Sequence, residues 1–284
     1  MAKIAWLGAG LLGSGFVEGL GARGHEVAVW NRTASKARAL EAVGARAVAS
    51  PAEAVAGAER VHLCLSDDAA VDAVIAAIGA LPAGVPIIDH TTVSPRGARE
   101  RAARLAASGQ AFLGCPVFMG PINAKGASGI MLCAGAKETV ERWLPALRTM
   151  TGQVLAYGED VGVPAAIKLF GNAMIISITG ALTDALTVAS ESGVAPSEAM
   201  QLLSHFDVGN VVKGRGGRIL EGDYRASFEL AMARKDVRLM IEAAGDKPLS
   251  VLPSLAARMD ALLAAGHGAD DLAIVAKDVV PRKV

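Results

Sequence analysis

Six residues near the N-terminus constrain this chain more than any others: Gly8-Ala9-Gly10-Leu11-Leu12-Gly13. Residues 2–7, Ala-Lys-Ile-Ala-Trp-Leu, read as a short buried strand. Residues 11–23 then read as a helix, and residues 27–30 as a second strand. Glycine is common here, 32 of 284 residues, so the Gly-x-Gly-x-x-Gly spacing means little by itself. Placed between a strand and a helix inside a βαβ unit, it reads as a dinucleotide site rather than an ordinary turn. Gly8 permits the tight turn, Gly10 lets the backbone approach a pyrophosphate, and Gly13 lets the helix pack close to the sheet. Leu11 and Leu12 open the helix, whose free N–H groups suit phosphate oxygens.

The end of the second strand selects the cofactor. A site for NAD usually places Asp or Glu there, on the ribose 2′-hydroxyl. This chain has Trp30-Asn31-Arg32-Thr33, with Ser35 and Lys36 following and no carboxylate. The planar guanidinium of Arg32 suits a 2′-phosphate, and Asn31 and Thr33 can add hydrogen bonds. The expected cofactor is NADP(H).

Strand and helix then alternate: strands at 61–65 and 86–89, helices at 69–78 and 95–108, and two or three further strands near 111–113, 128–133 and 153–157. Such alternation implies an α/β class with a mostly parallel sheet covered by helices. After Gly162 the strand signals stop. A long apolar helix runs to about Ser192, and helical segments follow near 196–205, 208–220, 229–244 and 252–265. The expected architecture is an N-terminal Rossmann dinucleotide-binding domain, residues 1–161, and an all-helical C-terminal domain for substrate and oligomerisation, residues 162–284.

Composition removes several classes. Apolar residues make up 52%, which excludes a disordered chain. Twenty-eight Lys and Arg balance 28 Asp and Glu, whereas a nucleic-acid binder usually carries a basic excess. No run free of charge and proline reaches the roughly 18 residues of a membrane span, and residues 169–183, with Ser, Thr, Asn and Gly among them, read as a buried helix. The apolar stretch 4–17 could pass for a signal peptide, but Glu18 and the spaced glycines favour strand, turn and helix. Three widely spaced cysteines and five histidines form no CxxC or HExxH pattern, so neither disulfides nor a metal site is expected. The expected location is the cytoplasm.

A second constellation lies on the long helix. Lys168 sits among apolar neighbours, and Asn172 follows one turn later on the same face. A poorly solvated lysine has a lowered pKa and can move protons near neutrality. The pair can present one acid–base group and one amide to a single substrate oxygen, although a lysine that merely snorkels to water fits the spacing too.

These residues together resemble the β-hydroxyacid dehydrogenase family, the relatives of 3-hydroxyisobutyrate dehydrogenase, tartronate semialdehyde reductase and 6-phosphogluconate dehydrogenase. The resemblance covers nearly the whole chain in four ordered blocks: the glycine motif, Asp89-His90-Thr91-Thr92-Val93-Ser94-Pro95, Lys168 with Asn172, and Phe228 through Lys235-Asp236-Val237. It implies that Thr91 and Thr92 lie near substrate and nicotinamide, and that Lys168 is the general acid–base with Asn172 and Thr91 orienting the oxygen. It further implies that Leu65, Ser66, Phe228 and Lys235 approach the cofactor. The active site would lie between two domains of a protein that is usually a dimer or tetramer.

One block departs from the family pattern. Where the family usually reads Asp-Ala-Pro-Val-Ser-Gly-Gly and helps hold a substrate carboxylate, this chain reads Gly114-Cys115-Pro116-Val117-Phe118-Met119-Gly120. Pro116, Phe118, Met119 and Gly120 are then expected to line an apolar substrate pocket. Lys125, Lys213 and Arg215 are other cations that could hold an anion. The expected activity is hydride transfer between NADP(H) and a small carbonyl or alcohol of the β-hydroxyacid or semialdehyde type. The alternatives are reduction of an apolar ketone or imine on the same scaffold, and a non-catalytic NADP-binding module.

Overall fold

Among the residues described by the computed structural model, 1–279, nine short strands form one sheet. They are β1 (Lys3–Leu7), β2 (Glu26–Trp30), β3 (Arg46–Ala47), β4 (Arg60–Leu63), β5 (Ile87–Asp89), β6 (Phe112–Gly114), β7 (Val117–Phe118), β8 (Ile130–Gly135) and β9 (Gln153–Ala156). Their order is β3-β2-β1-β4-β5-β6-β8-β7, with β9 beside β8. The pairs from β3 to β6 are all parallel. β8 runs antiparallel to β6 and β7 and parallel to β9. The strand order reverses between β1 and β4, and ligands of open α/β sheets bind beyond the strand ends at such a reversal.

Both faces of this sheet are covered, which is why β1 reads as an apolar run and not as an alternation. Ile4 and Trp6 point to one face, where they pack with Phe16, Leu20 and Val29. Ala5 and Leu7 point to the other, with Val61, Leu63, Val71 and Leu105. The helix Leu11–Ala22 contributes Phe16 and Leu20 to the first core, and Trp6 lies 5.0 Å from Phe16 between ring centroids. Helices Asp68–Ile78 and Pro95–Ala107 cover the second.

The expected strands and helices of this region are present, and five further elements accompany them: β3, β7 and the helices Pro51–Val55, Pro121–Lys125 and Lys137–Arg148. The last begins at Ala136 without a side-chain cap and carries Pro145 inside it. Both features are boundary signals that oppose a helical reading. Its apolar stripe, Val140, Trp143 and Leu147, packs on the first core regardless.

The chain divides into two compact units, Met1–Asn172 and Ala173–Val284. The helix Gly162–Glu191 starts where the sequence places a boundary, but the division falls further along it. Val161 and Ala165 are buried in the core beneath the sheet, which binds the first turns of this helix to the first unit. In the second unit, helices Leu230–Ala243 and Leu252–Ala264 enclose a core of Leu230, Ala233, Val237, Met259 and Leu262. The buried Asp184 carboxylate accepts backbone N–H bonds from Ser250, Val251 and Leu252 at 2.7, 2.8 and 2.9 Å, and so caps the latter helix from a distance.

The stretch 169–183 is helical as expected, but it is not buried within the single chain. Leu169, Phe170, Ile175, Ile176 and Ile178 are exposed. Apolar side chains occur around much of this helix, so contacts along part of its circumference leave the rest uncovered. By length and composition alone it is the one helix among the described residues that could cross a membrane.

Candidate active site

The glycine turn follows β1 directly. Gly8 adopts φ +112°, and a Cβ there would lie 2.1 Å from the Cys64 carbonyl oxygen, so only glycine fits. A Cβ on Gly13 would lie 2.0 Å from the Gly8 carbonyl oxygen. That carbonyl also accepts the buried Trp6 indole N–H at 3.0 Å, and the Gly8 N–H donates to the Trp30 carbonyl at 2.9 Å. The turn is therefore pinned to β1 and β2 while Gly10 stays open, with no atom within 4 Å of its Cβ position. The helix Leu11–Ala22 starts at Gly10 with no side-chain cap and no acidic residue in its first turn. Its first N–H groups remain available to an anion.

Gly8, Gly10, Leu11, Leu12, Gly13, Asn31, Arg32, Thr33, Leu65, Ser66, Thr91 and Thr92 line one cavity of about 650 Å³. The open cradle and uncapped helix end fit the pyrophosphate of a dinucleotide, and Arg32 and Lys36 on the same wall fit an additional phosphate. No hydrogen bond or ion pair engages Arg32 among the described residues, and its side chain is exposed. Asn31 is committed to the protein instead: its Oδ1 accepts from Ala9 N–H at 2.9 Å and its Nδ2 donates to the Thr33 carbonyl at 3.0 Å. It joins the end of β2 to the glycine turn.

Other lining residues escaped sequence reasoning. Ala70, Ala73 and Ala77 line the cavity from the helix Asp68–Ile78. Their helical spacing and small size were a readable sign of close approach. Cys64 also lines it, and burial pushes its thiol up to about 12, which keeps it protonated.

The loop after β5 is held by a chain of buried bonds. Arg60 Nε donates to His62 Nε2 at 3.0 Å, so His62 Nδ1 carries the proton that bonds His90 Nε2 at 2.9 Å. His90 Nδ1 then donates to the Cys115 carbonyl at 2.8 Å. Burial lowers both imidazoles, His90 to about 4, so the pair stays neutral at pH 7. Thr91 N–H donates to Asp89 at 2.9 Å, and the Thr91 hydroxyl accepts from Leu65 N–H at 3.0 Å. Burial raises the Asp89 carboxyl to about 6 against the pull of Arg101, whose Nη1 lies 3.8 Å away. Ser94 N–H donates to Asp68 at 2.8 Å and closes the loop. This geometry makes Thr91 a clamp between two strand ends as well as a cavity wall.

Lys168 lies on the helix Gly162–Glu191, with Asn172 one turn later. Asp160 fixes the start of that helix: it accepts from Gly162 N–H at 2.8 Å and pairs with Arg99 at 2.9 Å. Burial lowers the Lys168 ammonium from its ordinary value, and no carboxylate pairs with it among the described residues. Its Nζ sits 4.2 Å from the centroid of the Phe118 ring.

The four expected substrate-pocket residues divide. Phe118 reaches Lys168. Pro116 is buried, with its carbonyl bonded to Leu132 N–H. Met119 packs on the first core, and Gly120 N–H is engaged by Asn123 Oδ1 at 3.0 Å. Two of the three spare cations are also engaged, Lys125 by Glu18 at 2.9 Å and Arg215 by Asp271 at 3.0 Å. In the second unit, Phe228 packs on the core and donates its N–H to Asp271 at 3.1 Å. Lys235 pairs with Asp236 at 2.8 Å on the helix Leu230–Ala243.

Comparison with known proteins agrees with this fold. The family model for the NAD binding domain of 6-phosphogluconate dehydrogenase matches residues 3–158. That for the NAD-binding region of NADP-dependent 3-hydroxyisobutyrate dehydrogenase matches residues 151–278. Among curated relatives, the cytokine-like nuclear factor N-PAC of Homo sapiens is 31% identical over 90% of this chain and 47% of its own length. The chain thus spans about half the length of such relatives. Glyoxylate/succinic semialdehyde reductase 1 of Arabidopsis thaliana is 30% identical over 91% of each chain. A solved structure of a reductive aminase from Aspergillus terreus with NADPH superposes with a TM-score of 0.88, at 23% identity, over 99% of this chain and 100% of that one. This last likeness is one of fold. With a dinucleotide cradle at its N-terminus and both family models matched in order, the chain belongs to the β-hydroxyacid dehydrogenase family.

Proposed function

We propose that this protein is an NADPH-dependent reductase of small carbonyl compounds, or the NADP-linked dehydrogenase of the matching alcohols. The observation that carries this reading is Lys168: a half-buried lysine without a carboxylate partner, one turn before Asn172, in a chain with a dinucleotide cavity. When bound, the dinucleotide supplies or accepts the hydride. Lys168 gives a proton from Nζ to the developing alkoxide oxygen, or takes one from the alcohol in reverse. Its lowered pKa suits that exchange near neutrality. The Asn172 amide donates to the same oxygen, and Thr91 keeps the loop after β5 in register with Leu65.

The cofactor preference rests on Arg32 and Lys36 on the cavity wall, where no carboxylate stands. Phe228 and Lys235 are assigned to the cofactor by family pattern alone. Reduction of a C=N bond is the second reading, favoured by the apolar ring against Lys168. The exposed apolar face through Leu169, Ile175, Ile176 and Ile178 supports pairing of two copies. The three cysteines are free, in keeping with a cytoplasmic protein.

Two measurements test the reading. Fluorescence titration is expected to show NADPH binding well ahead of NADH, with Arg32→Ala erasing most of the gap; equal affinities in the wild type refute the phosphate assignment. A panel of aldehydes, ketones and cyclic imines is then followed by loss of NADPH absorbance. Carbonyl-dependent oxidation is expected. Oxidation with imines alone would favour the second reading, and tight NADPH binding without turnover on any compound would make the chain a binding module.

A further inference from the structure

Phe118 is held more firmly than an apolar lining residue requires. It ends β7, whose register places it opposite Ile130 of β8. Its ring then reaches the helix Gly162–Glu191 and lies over Gly171. A Cβ on Gly171 would come within 2.3 Å of Phe118 Cζ and 2.4 Å of Cε1. The missing side chain is therefore a slot for the ring, three residues after Lys168. Seated there, the ring presents its face to the Lys168 ammonium at 4.2 Å. A strand register, a glycine slot and a cation over a π face all fix one side chain.

The chemistry of that position follows from the ring. An aromatic face is the negative pole of its quadrupole, so it favours the ammonium and repels an anion. It also offers no N–H or O–H. In the same segment, Gly120 N–H is already bonded to Asn123, and Lys125 is paired with Glu18. A carboxylate against the ring would lose water and gain no hydrogen bond from the ring in return. An alkyl or aryl group would gain contact with the ring.

We propose that Phe118, seated in the Gly171 slot beneath Lys168, selects neutral carbonyl compounds bearing an apolar substituent over 2-oxo acids. This rests on the reading of Lys168 as the group that protonates the substrate oxygen. The ring has two effects: it stabilises the ammonium that donates the proton, and it makes the surface beside that ammonium apolar.

Matched substrates and a titration test the proposal. Glyoxylate is compared with methylglyoxal, and pyruvate with 2,3-butanedione; each pair exchanges a carboxylate for an acetyl group of similar size. The wild type is expected to favour the neutral member in kcat/KM. Phe118→Ser, which removes the ring and supplies a hydroxyl, should narrow that ratio by roughly tenfold, the scale of a charge-assisted hydrogen bond. Phe118→Leu should keep the preference while losing the π face. NMR titration of the lysine side chains, with the Lys168 signal assigned through Lys168→Arg, reads the contact without turnover. Phe118→Leu and Gly171→Ala should each lower the Lys168 pKa by roughly half a pH unit. A wild-type preference for the acids, an unchanged ratio in an active Phe118→Ser, or an unmoved Lys168 titration in Phe118→Leu would each overturn the proposal alone. A wild type that reduces neither member of either pair would overturn the carbonyl reading as well.

Discussion

Single residues in this chain act through positions that neighbouring backbone has already fixed. Gly13 illustrates the point: its missing Cβ is what lets the first helix rest against the Gly8 carbonyl. Because the opposing atom is backbone, Gly13→Ala cannot be absorbed by a rotamer change. It should destabilise the protein by about 1–3 kcal/mol and weaken NADPH binding at least roughly tenfold, read by urea unfolding and fluorescence titration. Full affinity at wild-type stability would contradict the fit described for the turn. The glycine turn was legible in the sequence at the residue scale, because its spacing follows from residue type, and Arg32 lies on the cavity wall that the sequence led one to expect. Asn31 was legible only in part. Its type marked a polar corner, but whether its amide faces a ligand or the Ala9 N–H depends on the approach of β2 to the turn. The Phe118 contact was less legible still, since it needs Gly171, fifty-three positions later, to leave room.

At the scale of elements, the parallel strands were readable and the helix Lys137–Arg148 was not. Its sequence carries an interior proline and lacks an N-terminal cap, and tertiary burial of Trp143 and Leu147 outweighs both. The long helix was readable as a helix and misread as buried, because apolar composition does not say whether its cover comes from the same chain. Within it, Asp184 holds three N–H groups at the start of the helix Leu252–Ala264. Asp184→Ala leaves those donors without their acceptor, at a cost of about 3 kcal/mol. Urea unfolding of the variant measures it; a loss below about 1 kcal/mol would show that water replaces the carboxylate.

At the scale of the whole molecule, the buried His62–His90 pair links stability to pH. Both imidazoles are held neutral by burial, His90 down to about 4. The unfolded chain takes up protons below about 6.5, while in the folded chain His90 refuses one until near 4 and His62 is likewise held well below its ordinary value. Stability is then fully present above pH 6.5 and lost on acidification toward 4, by about 3 kcal/mol for His90 alone. Asp89, raised to about 6, opposes this as one group against two, because its folded form keeps a proton that the unfolded form releases. Urea midpoints should fall from pH 7 to pH 4; a flat or rising profile would contradict the neutral pair. The proposed pairing of two copies through the helix Gly162–Glu191 predicts a dimer mass in sedimentation, with Ile176→Glu shifting it toward monomer. The central claim is that Lys168 carries the proton of a hydride transfer. The direct measurement is Lys168→Ala assayed twice, for NADPH affinity by fluorescence and for carbonyl-dependent NADPH oxidation. Unchanged affinity with turnover reduced by roughly 10²–10⁴ is expected. Turnover within a few-fold of wild type would contradict that claim.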